Sequence, residues 1–317
     1  MIFRKPKFWD YKKLSFFSYL LFPFTIFIRL NNFILNKSAA SKSGQIKTIC
    51  VGNIYVGGTG KTPTTIKMYN LLKNLNYKVV TAKKLYRSHH DEQKILQNQT
   101  RFITAKSRKN IIDLSIKNNE ELIIFDDGLQ DRNVNYDLKF VCFDADYWIG
   151  NGQLIPSGPM REKIDSLKKF DAIFLKNDNN TNLDDILKTI KSINPQIEIF
   201  YSNFIVENSL SFNKSKNYIS FCGIGNPSNF KKILMKEKFK TFEDIIFPDH
   251  YEYDNNEIEK ILNKAKKLNA KLITTEKDFV KIPDIYKKDI GFLKVKINFE
   301  EEEKLKKFLK YKLNEKY

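Results

Sequence analysis

The sequence predicts an α/β fold: a three-layer α/β/α domain, a second and smaller α/β domain, and an amino-terminal helix lying in a membrane interface. Three observations carry that prediction. Short apolar runs alternate with helix-period stretches along most of the 317 residues, the pattern of a parallel sheet covered by helices. One strand-to-helix junction is rich in glycine, Gly57-Gly58-Thr59-Gly60. Near the amino terminus an uncharged, aromatic run, Leu14 to Ile28, stands between basic flanks.

With 42% hydrophobic and 29% charged residues the composition is globular, and the length suits two domains of roughly 150 residues each. Disordered, collagen-like and coiled-coil readings are excluded. Lys and Arg number 55 against 37 Asp and Glu, a net charge of +18, which favours anionic partners such as nucleotide phosphates, acidic lipid or nucleic acid. The excess is nearly all scattered Lys. Arg, preferred for bidentate phosphate and base contacts, stands only at 4, 29, 87, 101, 108, 132 and 161. There is no zinc-finger spacing, RNP-like run or basic helix, so nucleic acid is not expected as a partner. Cys50, Cys142 and Cys222 sit far apart in apolar runs and read as buried thiols in a reducing compartment.

Residues 1–40 are expected as a membrane-interface segment. The run at 14–28 is short of the ~20 residues that span a bilayer. Pro23 interrupts it, and Trp9, Tyr19, Phe16, Phe17, Phe22, Phe24 and Phe27 make it aromatic. Lys5, Lys7, Lys12 and Lys13 precede it with Arg4, and Arg29 and Lys37 follow. Such a segment lies apolar side down, with its basic flanks toward lipid headgroups. A cleaved signal peptide fits less well, because Arg29 and Lys37 separate the run from Ser38, Ala39 and Ala40. Burial on this protein's own core or a partner subunit is the competing reading.

A polar joint at 37–45 leads into the first domain, 41–205. Ile46 to Asn53 reads as a strand, the glycine loop follows, and Pro63 to Leu75 has helical period. Further strands are expected at Tyr77–Ala82, Arg101–Thr104, Leu122–Phe125 and Leu138–Phe143, with a helix at Lys109–Lys117. Gly150 to Glu162, GNGQLIPSGPMRE, is too rich in turn residues for either element and reads as a structured functional loop. Alternation resumes with a helix to Phe170, strands at Ala172–Leu175 and Ile197–Tyr201, and a helix at Leu183–Ile193. The second domain, 206–317, is expected to hold strands at Ile219–Cys222, Lys271–Thr274 and Phe292–Ile297. Its helices are expected at Pro227–Met235, Asn255–Leu268 and Glu300–Leu313.

The strongest chemical signal is Gly57-Gly58-Thr59-Gly60-Lys61-Thr62 between strand and helix. Glycine amides can wrap phosphate oxygens, Lys61 can neutralise β- and γ-phosphates, and the Thr62 hydroxyl can ligate Mg²⁺. The strict P-loop pattern wants Gly where Tyr55 stands, but the strand-before, helix-after context is met, making the domain P-loop NTPase-like. Leu122 to Phe125 then delivers Asp126 and Asp127 at a strand's carboxyl end, where such folds place metal-holding carboxylates; Asp-Asp-Gly also suits a plain turn. His250, in Phe247-Pro248-Asp249-His250-Tyr251, and Asp91, in His89-His90-Asp91-Glu92, are candidates to accept an alcohol proton. Spacing alone favours a solvated loop for both.

Six blocks taken together resemble the tetraacyldisaccharide 4'-kinase family, the lipid A 4'-kinases of Gram-negative bacteria: VGNIYVGGTGKTP (51–63), DDGLQ (126–130), GNGQLIPSGPMRE (150–162), GIGNP (223–227), FPDHY (247–251) and TTEKD (274–278). The resemblance implies ATP- and Mg²⁺-dependent phosphorylation of the 4'-hydroxyl of tetraacyldisaccharide 1-phosphate, giving lipid IVA at the cytoplasmic face of the inner membrane. The enzyme would be peripheral or monotopic, with no obligate protein partner. It implies two α/β/α domains with the active site between them. By position, Tyr55, Val56, Gly57, Gly58, Thr59, Gly60, Lys61 and Thr62 would cradle ATP, Asp91 would be the general base assisted by His250, and Asp126 and Asp127, with Thr62, would serve the metal. The chain departs from the family at Lys84-Leu85-Tyr86-Arg87, usually Arg-Gly-Tyr-Gly, at Asp131, usually His, and at Tyr55, usually a small hydroxyl residue. Two other readings remain: a nucleotide-dependent membrane switch, for which Thr275-Glu276-Lys277-Asp278 only mimics a guanine-reading Asn-Lys-x-Asp, and a kinase of another acceptor.

Overall fold

The computed structural model describes residues 5–28, 30, 44–85, 90–131 and 133–314. Arg4, Arg29 and Lys37 of the basic flanks, the joint at 37–43, and Tyr86, Arg87, Arg132 and His89 lie outside the described residues. Seven strands come first: β1 (Lys47–Gly52), β2 (Val79–Lys84), β3 (Phe102–Ala105), β4 (Leu122–Asp126), β5 (Leu138–Asp144), β6 (Ala172–Lys176) and β7 (Glu198–Val206). Then follow β8 (Asn217–Cys222), β9 (Lys240–Ile246), β10 (Ala270–Thr275) and β11 (Ile290–Leu293), and last β12 (Val295–Phe299).

They form two sheets, one of eight strands in the order β12-β7-β6-β5-β1-β4-β2-β3 and one of four in the order β11-β10-β8-β9. β1 to β6 run parallel to their neighbours, as do β8 to β11. Their runs are apolar on both faces because helices cover both faces. Alternation along a strand sends successive side chains to opposite sides. Cys50, Phe125, Phe143 and Leu175 join one core layer with Ile111 and Ile190. Ile49, Val51, Ile124 and Cys142 join the other with Met68, Leu72 and Leu305. The small sheet repeats the scheme: Ile219, Phe221 and Leu272 pack with Ile258 and Ile261, and Tyr218, Cys222 and Ile273 with Phe230 and Leu234.

Contacts divide the chain into two units, neither contiguous in sequence. One comprises Pro6–Leu85, Gln99–Phe204 and Ile297–Tyr317, the other Met1–Lys5, Tyr86–Asn98 and Ile205–Lys296. This differs from division at 1–40, 41–205 and 206–317. The amino-terminal segment from Pro6 groups with the P-loop unit, anchored by the buried Trp9. The helix His90–Gln99, not foreseen from sequence, lies almost wholly in the second unit. The carboxyl-terminal helix Glu302–Asn314 returns to the first because Leu305, Leu309 and Leu313, one face at four-residue spacing, are buried in its core. Full burial of each such leucine contributes about 1.5–3 kcal/mol. The single strand expected at Phe292–Ile297 is two, one in each sheet; no Gly or Pro marks the break at Lys294. β9, the strand before the Phe247–Tyr251 loop, has no long apolar run, since it lies at the edge of its sheet with several residues exposed.

Candidate active site

In the first unit, Gly60 precedes the helix Lys61–Asn74 with φ of 82°, a left-handed conformation that any side chain would strain. Glycine brings no side-chain cap, so the first amides of the helix are left for an anion, and the helix dipole favours one there. Asn53 stiffens the loop: its Nδ2 donates to the Thr59 Oγ1 at 3.1 Å and to the Gly57 carbonyl at 3.3 Å. The Val56 amide donates to the Pro159 carbonyl at 2.8 Å.

β4 pairs with both β1 and β2, so Asp126 at its end stands beside the P-loop strand on one side and Lys83 on the other. Asp126 is fully buried. Its Oδ2 accepts from Thr62 Oγ1 at 2.9 Å and from Lys83 Nζ at 2.9 Å, and its Oδ1 accepts from Thr65 Oγ1 at 3.5 Å. Asp127 turns out of the strand at φ 64°. Its carboxylate lies 3.6 Å from Lys61 Nζ and 3.5 Å from Arg161 Nη1. Arg108 secures that turn by donating to the Asp127 carbonyl, and it also pairs with Asp131. Hydrogen bonds from Asn133 and the charge of Arg108 hold the Asp131 carboxyl below its usual value despite partial burial. Asp131, which departs from the family pattern, is thus committed to bracing the turn at Asp127. Burial pushes the nearby Cys142 thiol up to about 12 and raises Cys50 further, which keeps both inert beside the loop.

The Tyr55 ring lies beside the glycine loop, where a Cβ at Gly57 would stand 3.0 Å from Tyr55 Cε1. The ring is buried and its hydroxyl donates to Asp10 Oδ1 at 2.5 Å; burial first, and the Asp10 carboxylate next, push its ionisation far up. The Gly150–Glu162 block is where the amino-terminal segment docks. Trp9 Nε1 donates to the Pro156 carbonyl at 3.0 Å, Asn151 Nδ2 to Ser18 Oγ at 3.0 Å, and Ser157 Oγ to the Ser18 carbonyl at 2.7 Å. At Gly150 a Cβ would stand 2.2 Å from the Trp9 carbonyl oxygen, so only glycine admits that approach. The same block feeds the phosphate side, since the Arg161 amide donates to the Ile54 carbonyl at 2.8 Å and its guanidinium reaches Asp127 and Gln130.

The segment's short helix, Phe16–Leu21, is inside out. Ser18 and Thr25 face the protein, at 1% and 2% exposure, while Phe16, Phe17, Tyr19, Leu20, Phe24 and Phe27 are exposed, Phe16 to 76%. That excludes burial of its aromatic face on this protein's own core. Among the described residues no helix is long and apolar enough to cross a membrane.

In the second unit, Asp91 and His250 meet. Asp91 lies in the first turn of His90–Gln99 and is 2% exposed, so it is not in a solvated loop. His250 Nδ1 stands 3.1 and 3.0 Å from its two carboxylate oxygens. Lys277 Nζ lies 3.7 Å from Asp91 Oδ2 and 2.8 Å from Glu92 Oε1. Burial alone would raise the Asp91 carboxyl, but Lys277 and the hydrogen bond and charge of His250 outweigh it and lower it to about 2. Asp278 holds the frame of this site: it accepts from the Gly223 amide at 3.0 Å, Tyr253 OH at 2.9 Å and Thr275 Oγ1 at 2.6 Å. Lys277 and Asp278 are thus engaged inside this unit, which removes the guanine-reading interpretation of Thr275 to Asp278.

Sequence reasoning missed Lys83, Asn53, Arg108, Glu92 and Lys277 as members of these clusters. Asn53 and Lys277 lay inside the blocks 51–63 and 274–278, and Lys83 left a further signal, a lysine ending the strand Val79-Val80-Thr81-Ala82.

The family model described as Tetraacyldisaccharide-1-P 4'-kinase matches residues 14–314. The chain is 44% identical over 316 residues to a tetraacyldisaccharide 4'-kinase of Pelagibacter ubique, covering 100% of both chains. It is 35% identical over 296 residues to one of Rickettsia bellii, covering 88% of this chain and 89% of the relative. The fold matches a crystal structure of LpxK from Aquifex aeolicus in complex with ATP, with a TM-score of 0.68 at 24% identity over 93% of this chain and 99% of that one.

Proposed function

The chain belongs to the Tetraacyldisaccharide-1-P 4'-kinase family, and from that premise we infer that it transfers the γ-phosphate of ATP to the 4'-hydroxyl of tetraacyldisaccharide 1-phosphate, giving lipid IVA. The observation that carries the chemistry is the pairing of the buried Asp91 with His250 in a chain that also bears a P-loop opening a helix. ATP phosphates lie on the Gly57–Thr62 loop, where amides and Lys61 balance their charge. Asp91 takes the proton of the acceptor hydroxyl, oriented by His250. Phosphoryl transition states are loose, so positioning and charge balance outweigh the basicity of the acceptor.

The Thr62 hydroxyl and the Asp126 and Asp127 carboxylates fit Mg²⁺, a hard cation usually held by one or two carboxylates plus phosphate oxygens. When bound, Mg²⁺ supplies charge neutralisation at the transferring phosphate. Lys83 then has a defined task, fixing Asp126 Oδ2 from the side opposite Thr62.

The inverted helix at 16–21 supports attachment to the cytoplasmic face of the inner membrane, peripheral or monotopic, with the lipid's acyl chains still partly in the bilayer. Replacing Phe16, Phe17, Phe24 and Phe27 together with Ser is expected to abolish binding to anionic phospholipid vesicles while leaving ATP binding intact; equal vesicle binding refutes the attachment. The reaction is tested by following labelled γ-phosphate from ATP into tetraacyldisaccharide 1-phosphate in mixed micelles, with Lys61→Ala as control. Lysine-dependent labelling of the lipid is expected. ATP hydrolysis without lipid labelling points instead to another acceptor or a nucleotide switch.

A further inference from the structure

Lys277 belongs to the second unit yet has no part in phosphate binding as derived above. It sits on the four-residue helix Glu276–Phe279, whose neighbour Asp278 is buried and hydrogen-bonded on both oxygens. That anchoring leaves Lys277 little freedom, and its side chain is only 25% exposed. It bridges two successive carboxylates of another helix, Glu92 at 2.8 Å and Asp91 at 3.7 Å. Asp91 Oδ1 accepts from the Glu92 amide at 2.8 Å, and both oxygens face His250 Nδ1. The carboxylate is therefore fixed by its own helical turn and by two segments distant in sequence.

We propose that Lys277 is a positioning residue for phosphoryl transfer, which aims the Asp91 carboxylate and keeps it ionised while His250 orients it from the other side. The inference rests on the reading of Asp91 as proton acceptor. Facing Asp91 are Lys277 from the Glu276–Phe279 helix, His250 from the loop after β9, and Glu92 on its own helix; Asp249 lies beside His250, 3.9 Å from its Nε2. Burial would lower the Lys277 ammonium, but Glu92, Asp91 and Asp249 together raise it, so the bridge keeps its charge through the neutral range. Without that charge, burial of Asp91 is opposed by His250 and the Glu92 amide only, and its carboxyl rises. An Asp91 that is protonated in part of the population has lost the lone pair the hydroxyl proton needs.

The test is lipid phosphorylation by the full chain from pH 5.5 to pH 8.5, with Lys277→Met, Lys277→Arg and Asp91→Asn run in parallel and each checked by circular dichroism. Lys277→Met is expected to lose about 10- to 100-fold in kcat at pH 8 and more at pH 5.5, as the acid limb moves up. KM for ATP stays within about twofold. Lys277→Arg, which can bridge the same two carboxylates, recovers most of the loss. A uniform loss across pH that Arg does not rescue means a structural prop and overturns the proposal, as does unchanged activity in Lys277→Met. Should Lys277→Met not fold, Glu92→Gln releases the other end of the bridge. A several-fold lower kcat with unchanged ATP KM is then expected, and no change overturns the proposal. Asp91→Asn separates the premise: full activity in that variant removes Asp91 as acceptor, whereas an inactive Asp91→Asn beside a normal Lys277→Met defeats the bridge alone.

Discussion

The two clusters are built in opposite ways. Around Asp126, one carboxylate is surrounded by groups delivered by adjacent parallel strands and the helix that follows the first of them: Thr62, Thr65 and Lys83. Around Asp91, the partners His250 and Lys277 arrive from 159 and 186 positions along the chain, on a loop and a single helical turn. The first cluster is held by sheet register. The second is held by the hydrogen bonds of Asp278 and by charge pairing, so its geometry depends on individual side chains. Removing one side chain should therefore damage stability most at the first cluster, and damage the rate with less structural cost at the second.

The largest effect is expected for Asp126→Asn. It leaves the Lys83 ammonium buried without its carboxylate, at a cost of about 3–5 kcal/mol in stability, and removes a metal-side ligand, so lipid phosphorylation is lost as well. Adding Lys83→Met to that variant replaces the stranded charge with an apolar side chain. Chemical denaturation of the double variant should show most of the stability restored while activity stays absent. If the double variant is no more stable than Asp126→Asn alone, the pair does not hold the ends of β2 and β4 together and the contrast between the clusters fails.

A smaller structural effect is expected for Asp91→Asn, whose kcat should fall by about 10²–10⁴-fold with ATP KM little changed. Its pH signature sharpens the comparison. Because the folded Asp91 carboxyl lies at about 2, below its unfolded value near 3.8, it adds stability above pH ~4 that is lost as pH falls toward 2, about 2 kcal/mol in all. The stability difference between the natural protein and Asp91→Asn should therefore narrow between pH 7 and pH 3 in urea melts. A difference constant over that range means that Lys277 and His250 do not hold the carboxylate ionised.

The contrast also explains what was legible in the sequence. The P-loop, Asp126 and Asp127 could be read because each lies beside an apolar strand within a few residues, and strand periodicity marks where the strand ends. Asp91 and His250 could be assigned roles from the family resemblance but not paired by spacing, since His89 to Glu92 looks like a solvated loop and only the fold buries Asp91. Lys83 shows the limit within a legible motif: its partner is set by β2 lying next to β4, a sheet order that no local pattern states. The return of Leu305, Leu309 and Leu313 to the first unit was likewise hidden, because an amphipathic helix announces its apolar face and not the surface that face will cover.

Tyr55 offers the finest test, because here sequence position and side-chain role part company. It stands where a P-loop usually opens with a small residue, and an ATP contact was the expectation. Yet its hydroxyl reaches Asp10, tying the glycine loop to the segment whose aromatic face points outward. Tyr55→Phe removes one hydrogen bond to a carboxylate and keeps the ring that fills the core. A loss of about 1.5–3 kcal/mol is the usual range for such a bond when buried, and partial exposure of Asp10 puts the expectation at the lower end. ATP KM should stay within about twofold, since the backbone that faces the phosphates is unchanged. What should move is the anchoring of Trp9 and Ser18, read as faster protease cleavage within residues 10–30 of the intact protein. A raised ATP KM with unaltered cleavage would return the Tyr55 side chain to the nucleotide and separate the amino-terminal segment from the phosphate loop.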